Sequence, residues 1–237
     1  MGKHRLLERL TEEVVRCRKC PRLVAWREAA ATSRPRRYEG QRYWARPVPG
    51  FGDPSAGVLI VGLAPAAHGG NRTGRIFTGD RSGQWLFASL HRTGFANRAE
   101  SLHRDDGLKL RDAYIAAVNR CCPPANRPTP TERDNCLPYL VRELQLLERA
   151  RVLVALGSFA WDGALRAVAG LGHPIARPRP RFGHGAEAEP GPYVLLGCYH
   201  PSQQNTFTGV LTEEMLDDVF LRARSLSAQR SGERGVS

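Results

Sequence analysis

Four short runs of consecutive apolar residues punctuate the chain: GVLIVGL at 57–63, AYIAAVN at 113–119, RVLVALG at 151–157 and YVLLGCYH at 193–200. Runs of this length without polar alternation suit strands buried on both faces, the condition of a parallel sheet covered by helices. Elsewhere the apolar positions switch to helical spacing. Leu6, Leu7, Leu10 and Val14 align on one face of a helix over 4–16, and Pro21 opens a second helix reaching about Ala31. Residues 84–93 read as a helix with Ser82 as N-cap and Gly94 as its stop. Thr129, Pro130 and Glu132 form a capping box with proline at the first helical position, which puts Cys136 in the second turn. Ser158 opens a helix to about Val168, and Thr212 caps a last one to about Ser225. Residues 32–54, 95–110 and 172–192 carry no period and read as loops. This order predicts one α/β domain over 1–225, a four-stranded parallel sheet sandwiched between helices, and a disordered basic tail over 226–237.

The stretch that leaves the first strand, GLAPAAHGGNRTGRIFTGDRSG at 62–83, supplies many backbone donors before a new helix. In doubly wound sheets such loops at the strands' carboxyl ends hold ligands, because exposed amides and helix N-termini meet there. The fourth strand delivers His200 to the same edge. Within the glycine-rich loop, His68, Asn71 and Arg72 suit either phosphate contacts or hydrogen bonds internal to the loop.

Charge narrows the partner. The 237 residues carry a formal net charge of +12, most of the excess being arginine, whose planar fork grips phosphate better than a lysine does. A polyanion is the expected ligand, although a basic surface alone does not identify nucleic acid. No run reaches the roughly 18 apolar residues a membrane span needs, and the N-terminus lacks the hydrophobic core of a signal peptide. A cytoplasmic monomer with no membrane partner is expected.

Six cysteines in a cytoplasmic chain point away from disulfides. Cys17 and Cys20 form C-x-x-C, while Cys121 and Cys136 bracket a proline-rich loop, a layout suited to zinc or an iron-sulfur cluster. Cys122 competes for the third position, and Cys198, inside a strand, reads as packing.

GLAPAAHGGNRTGRIFTGD, the C-x-x-C with RCCPPANRPTPTERDNC, and HPSQQNTFTG, in this order, resemble the family 5 (type b) uracil-DNA glycosylases, the iron-sulfur branch of that superfamily. The resemblance covers the chain from Cys17 to about Leu221. It implies a parallel α/β sheet between helices, and a four-iron four-sulfur cluster on Cys17, Cys20, Cys121 and Cys136 that ties in the N-terminal helix. Zinc is the alternative that spacing leaves open. It further implies a monofunctional enzyme that hydrolyses the N-glycosidic bond of uracil, and of other deaminated bases such as hypoxanthine or ethenocytosine, in duplex DNA. No nucleophilic lysine stands in the motifs, so lyase activity is not expected.

Hydrolysis of that bond builds positive charge on the sugar and negative charge on the departing base, so it needs a donor at the base oxygen and a water near C1′. By resemblance His200 is the donor, and Asn126 holds the water. The first motif of related families carries a polar residue for that water, whereas here it offers only Leu63, Ala64 and Ala66. Asp80 is then the one carboxylate in the active loops, expected to be kept ionised by the following helix N-terminus, with helix capping as its alternative role. Phe77 is the stacking surface for the extruded base, or else ordinary core. Backbone amides from Gly62 to Ala66 would read the base edge, with small Ala64 leaving room for bases besides uracil. Ser202, Gln203 and Asn205 are expected to contact phosphate and base edges. The competing reading is a non-enzymatic zinc or iron-sulfur module that binds nucleic acid.

Overall fold

A computed structural model describes residues 3–232. Its sheet has six strands in the order β1-β3-β2-β4-β6-β5, formed by β1 (Phe51–Gly52), β2 (Val58–Gly62), β3 (Ala113–Ala117), β4 (Val152–Leu156), β5 (Glu187–Ala188) and β6 (Val194–Cys198). The four expected strands are the parallel centre, and every residue in them is buried. The sheet is nevertheless mixed and larger than four strands, because two antiparallel dipeptides, β1 and β5, seal its edges. Two residues are too short to leave a periodic signature, so in sequence both segments read as loop.

Side chains alternate between two cores. Val58, Ile60, Val152 and Val154 face one layer, where Leu86, Phe87 and Leu90 of α4 (Arg81–Arg92) meet Leu216 and Phe220 of α8 (Glu213–Gly232). Leu59, Val61, Leu153 and Ala155 face the other, under Leu140 and Leu144 of α5 (Pro130–Leu146) and Trp161 and Leu165 of α6 (Ser158–Gly170). Burying each such aliphatic side chain stabilises the fold by ~1.5–3 kcal/mol, so the two layers together dominate folding. A third, small cluster packs Leu10 and Val14 of α1 (Lys3–Arg16) on Cys136 and Tyr139 of α5.

Several boundaries differ from the expectation. The capping box at Thr129 is formed as expected, with Glu132 bonding back to the Thr129 amide. Thr212 likewise accepts from the Met215 amide at 3.2 Å. But α4 is capped by Asp80 rather than Ser82, because Asp80 has the extended backbone of a cap and its carboxylate accepts the Gly83 amide at 2.9 Å. The helix α8 continues through Gly232, burying Leu226 and donating from Ser227 Oγ to Asp112 at 2.8 Å, so the first part of the expected tail is helical. Residues 233–237 of that tail lie outside the described residues. No described helix is long and apolar enough to cross a membrane.

Register places the site. Gly62 pairs with Ala117 and Leu156 with Cys198, so β2, β3, β4 and β6 all end along one edge. From β2 the chain moves first to β3 on one side and then to β4 on the other, and this reversal opens a crevice at the carboxyl end of β2.

Candidate active site

Four segments leave that edge, and they meet. A cavity of about 490 Å³ is lined by Leu63, Ala64 and Ala66 after β2, by Phe77, Asp80 and Ser82 before and within α4, by Asn126 after β3, and by His200, Ser202, Gln203 and Gln204 after β6. Its size is that of a small-molecule site. Asp80, Asn126 and His200 therefore converge on one space although long stretches of sequence separate them.

Local backbone aims each group. Asp80 sits where the glycine-rich loop turns into α4, and a side chain on Gly69 would collide with its carboxylate, so only glycine at 69 leaves that carboxylate room. Burial is the leading influence on Asp80 and raises its pKa, while the Gly83 and Ser82 amides and the Arg72 guanidinium oppose it. The net shift is upward, against the lowering that a helix N-terminus by itself favours, because desolvation outweighs a partial charge. Asp80 is thus both a cap and a cavity wall. Asn126 follows Ala125 in a turn where both residues have positive φ, 51° and 55°, a region asparagine tolerates.

His200 lies two residues beyond β6, with its carbonyl accepting from Asn205 Nδ2 at 2.9 Å and from the Ser202 amide at 2.7 Å. Desolvation lowers its pKa to about 4, so at neutral pH the imidazole is uncharged and still carries one N–H. The Phe77 ring stands 5.9 Å from the His200 ring. Phe77 is buried and adopts φ +52°, a strained state for an aromatic residue that costs of order 1–3 kcal/mol. The ring belongs to the core beneath the loop and also lines the cavity.

Gly62 and Asn205 behave differently from their expected roles. Gly62 does not line the cavity; a Cβ there would approach the Phe77 ring at 2.8 Å, so its bare backbone seats that ring. Asn205 is also off the cavity, and its amide positions His200. Ser202 caps α7 (Gln203–Phe207) by accepting from the Asn205 amide at 3.3 Å while facing the cavity, and exposed Gln203 faces it as well. Gln204 lines the cavity too, a position that in sequence only its place in the HPSQQNTFTG segment hints at. His68, Asn71 and Arg72 all make hydrogen bonds within the protein, His68 through its ring to Tyr43 at 3.0 Å. Arg72 donates to the His68 carbonyl at 2.8 Å and to the Gly79 carbonyl at 2.9 Å, and Asn71 donates to the Arg27 carbonyl at 3.1 Å.

A second, much smaller cavity collects the cysteines. Cys17 follows α1, Cys20 is the residue before α2 (Pro21–Thr32), Cys121 follows β3 and Cys136 is in α5, and all four line it. Cys122 is buried off that wall, and Cys198 is buried in β6. Hydrogen-bond donors are aimed at three of the sulfurs: Arg27 Nη1 at Cys121 (3.0 Å), the Arg120 amide at Cys136 (3.2 Å) and Asn135 Nδ2 at Cys20 (3.7 Å). Burial pushes the Cys121 and Cys136 thiols up to about 11 and about 12. Arg27 is 2% exposed, its Nε has no partner among the described residues, and its Nη1 donates to Cys121 Sγ and the Cys17 carbonyl. A buried guanidinium of this kind is complementary to an anionic group held by the thiolates.

The model of the Uracil DNA glycosylase superfamily matches residues 49–223, from just before β1 into α8. The chain belongs to the uracil-DNA glycosylase superfamily. Within it the chain is similar to the Type-5 uracil-DNA glycosylase of Mycobacterium tuberculosis, 54% identical over 213 residues that cover 89% of this chain and 78% of the relative. It is 52% identical to the Mycobacterium leprae Type-5 enzyme, over 92% of this chain and 94% of the relative. The Thermus thermophilus Type-5 enzyme is 50% identical over 93% and 98%. A Type-4 uracil-DNA glycosylase of Archaeoglobus fulgidus is 38% identical over only 114 residues. The superfamily match begins after Cys17 and Cys20, whereas the Type-5 matches span most of this chain.

Proposed function

We propose that the chain is a DNA-repair glycosylase that hydrolyses the N-glycosidic bond of uracil in DNA and leaves an abasic site. The observation that carries this reading is the convergence of Asp80, Asn126, His200 and Phe77 on one cavity in a chain of this superfamily.

The extruded base enters the inner end of the cavity, with a face toward Phe77 and a carbonyl oxygen toward His200. Neutral His200 donates its N–H to that oxygen as the bond breaks and charge moves onto the base; a donor of this type is worth ~10²–10³ in rate. Asn126 and Asp80 hold the attacking water on the sugar side. The Asp80 carboxylate also stabilises the cationic sugar, and its desolvation strengthens that field. The small walls at Ala64 and Ala66 leave space for other deaminated bases.

Cys17, Cys20, Cys121 and Cys136 would hold a four-iron four-sulfur cluster. The fit rests on Arg27, a buried cation directed at a sulfur, and on the four cysteines lining one small cavity. When bound, the group would supply a structural clamp and no step of the hydrolysis. A monomer acting on duplex DNA in the cytoplasm completes the reading.

The test is incubation of the purified full chain with duplexes carrying uracil, hypoxanthine or ethenocytosine, followed by alkaline cleavage. Strand scission at uracil is expected. A duplex bound tightly but left intact after alkali would instead make the chain a nucleic-acid-binding module.

A further inference from the structure

Beside the base cavity lies an outer cleft of about 510 Å³. The two spaces share Ala66, Asp80, Asn126 and Gln203, so Asp80 and Asn126 form a sill between them. The far wall of the outer cleft takes no part in the excision chemistry. It presents Trp26 from the outer face of α2, Arg37 and Tyr38 from the 3-10 turn Arg36–Tyr38, and Arg81 from the first turn of α4. Trp26 is 39% exposed and lines the cleft. Arg37 lies over the Tyr38 ring at 4.9 Å and Arg81 over the Phe207 ring at 4.0 Å; among the described residues neither guanidinium is paired with a carboxylate. The wall is braced from behind, since Arg72 stacks on Tyr38 at 4.4 Å and donates to Gln41 at 2.9 Å, while Tyr43 shares a hydrogen bond with His68 at 3.0 Å.

We infer that this outer cleft is a second subsite, taking the nucleotide that flanks the extruded one on the same strand, its base against Trp26 and its phosphate between Arg37 and Arg81. The inference rests on the excision reading, which puts the sugar of the target nucleotide at the Asp80–Asn126 sill. From that sill the strand has to leave through the outer cleft, and the next phosphate is one sugar away. Extruding a nucleotide strips one stacking face from its neighbour, and an indole replaces that face without selecting a sequence. The two unpaired guanidinium groups provide the bidentate donors a phosphodiester takes.

The experiment is a coupling cycle in single-turnover kinetics. Uracil duplexes are compared with duplexes in which the 5′ or the 3′ neighbour is replaced by a tetrahydrofuran abasic analogue, for the unaltered chain and for Trp26→Ala. The unaltered chain should lose about tenfold in apparent affinity when one neighbour, on one side only, lacks its base. Trp26→Ala should show the same loss on the intact duplex and no further loss with that analogue, and Trp26→Phe should restore most of it. Melting temperatures should match, because Trp26 lies on an exposed helix face. Losses that multiply, an insensitive Trp26→Ala variant, or a chain indifferent to both analogues would overturn the subsite. Failure to excise uracil from the unmodified duplex would be a different result, refuting the excision reading itself.

Discussion

Asp80 both caps α4 and faces the base cavity, so its two roles separate only if the substitution preserves one of them. Asparagine is as good a cap as aspartate. Asp80→Asn should therefore leave the melting temperature within a degree or two yet lower excision at least tenfold, while binding to abasic DNA survives. Asp80→Ala should add ~1 kcal/mol of destabilisation through the lost cap. Equal loss of binding and excision in Asp80→Asn would mark the carboxylate as structural. His200 makes a pH prediction. Its folded pKa, about 4, lies below the ordinary value of 6.5, so the unfolded chain takes up this proton first as pH falls. The stability linked to neutral His200 is complete above pH 6.5 and declines through the window from 6.5 to 4, by up to ~3 kcal/mol. Urea melts across that window should fall more steeply for the unaltered chain than for His200→Gln. An identical slope would show that the ring is not desolvated as the cavity indicates.

At the scale of elements, the cysteines would do for the N-terminal region, through the proposed cluster, what hydrophobic area does for the sheet. The small cluster of Leu10, Val14, Cys136 and Tyr139 is a modest apolar anchor for α1. The ion pairs that add to it, Arg142–Glu13 and Arg22–Glu132, have at least one exposed partner each, where solvent screening leaves such pairs weak. If the four thiolates hold the proposed cluster, Cys136→Ser should bleach the visible absorption of the anaerobically purified protein. Residues 1–32 should then become sensitive to limited proteolysis, while most sheet and helix circular dichroism remains. Arg27→Gln should accelerate loss of iron in air, with Arg27→Lys intermediate, since the guanidinium points at a sulfur. A colourless protein that resists protease in both forms would remove the clamp from the account.

For the whole molecule, the charge of +12 is unevenly used. Many arginines are consumed internally: Arg75 with Asp106, Arg120 with Glu143 and Arg222 with Glu187. Those lining the outer cleft lie instead over aromatic rings, as with Arg37 and Arg81. Duplex affinity should accordingly fall by an order of magnitude or more between 50 and 200 mM salt, through release of several counterions. A flat profile in a fluorescence-anisotropy titration would leave the surface charge without a partner.

What the amino-acid order determined alone was everything written in short-range pattern. The four central strands follow from unbroken apolar runs and the start of α5 from its capping box, because each signal lies within a few residues. Edge strands β1 and β5 carried no such pattern, and the end of α8 was masked by a polar tail whose few buried residues touch the rest of the fold only after folding. The tertiary structure alone decided that Gly62 seats Phe77, that Asn205 steadies His200, and that burial overrides the helix N-terminus at Asp80. It also alone set Trp26 beside the sill. Desolvation and close approach depend on segments far apart in the chain, and no local spacing encodes them.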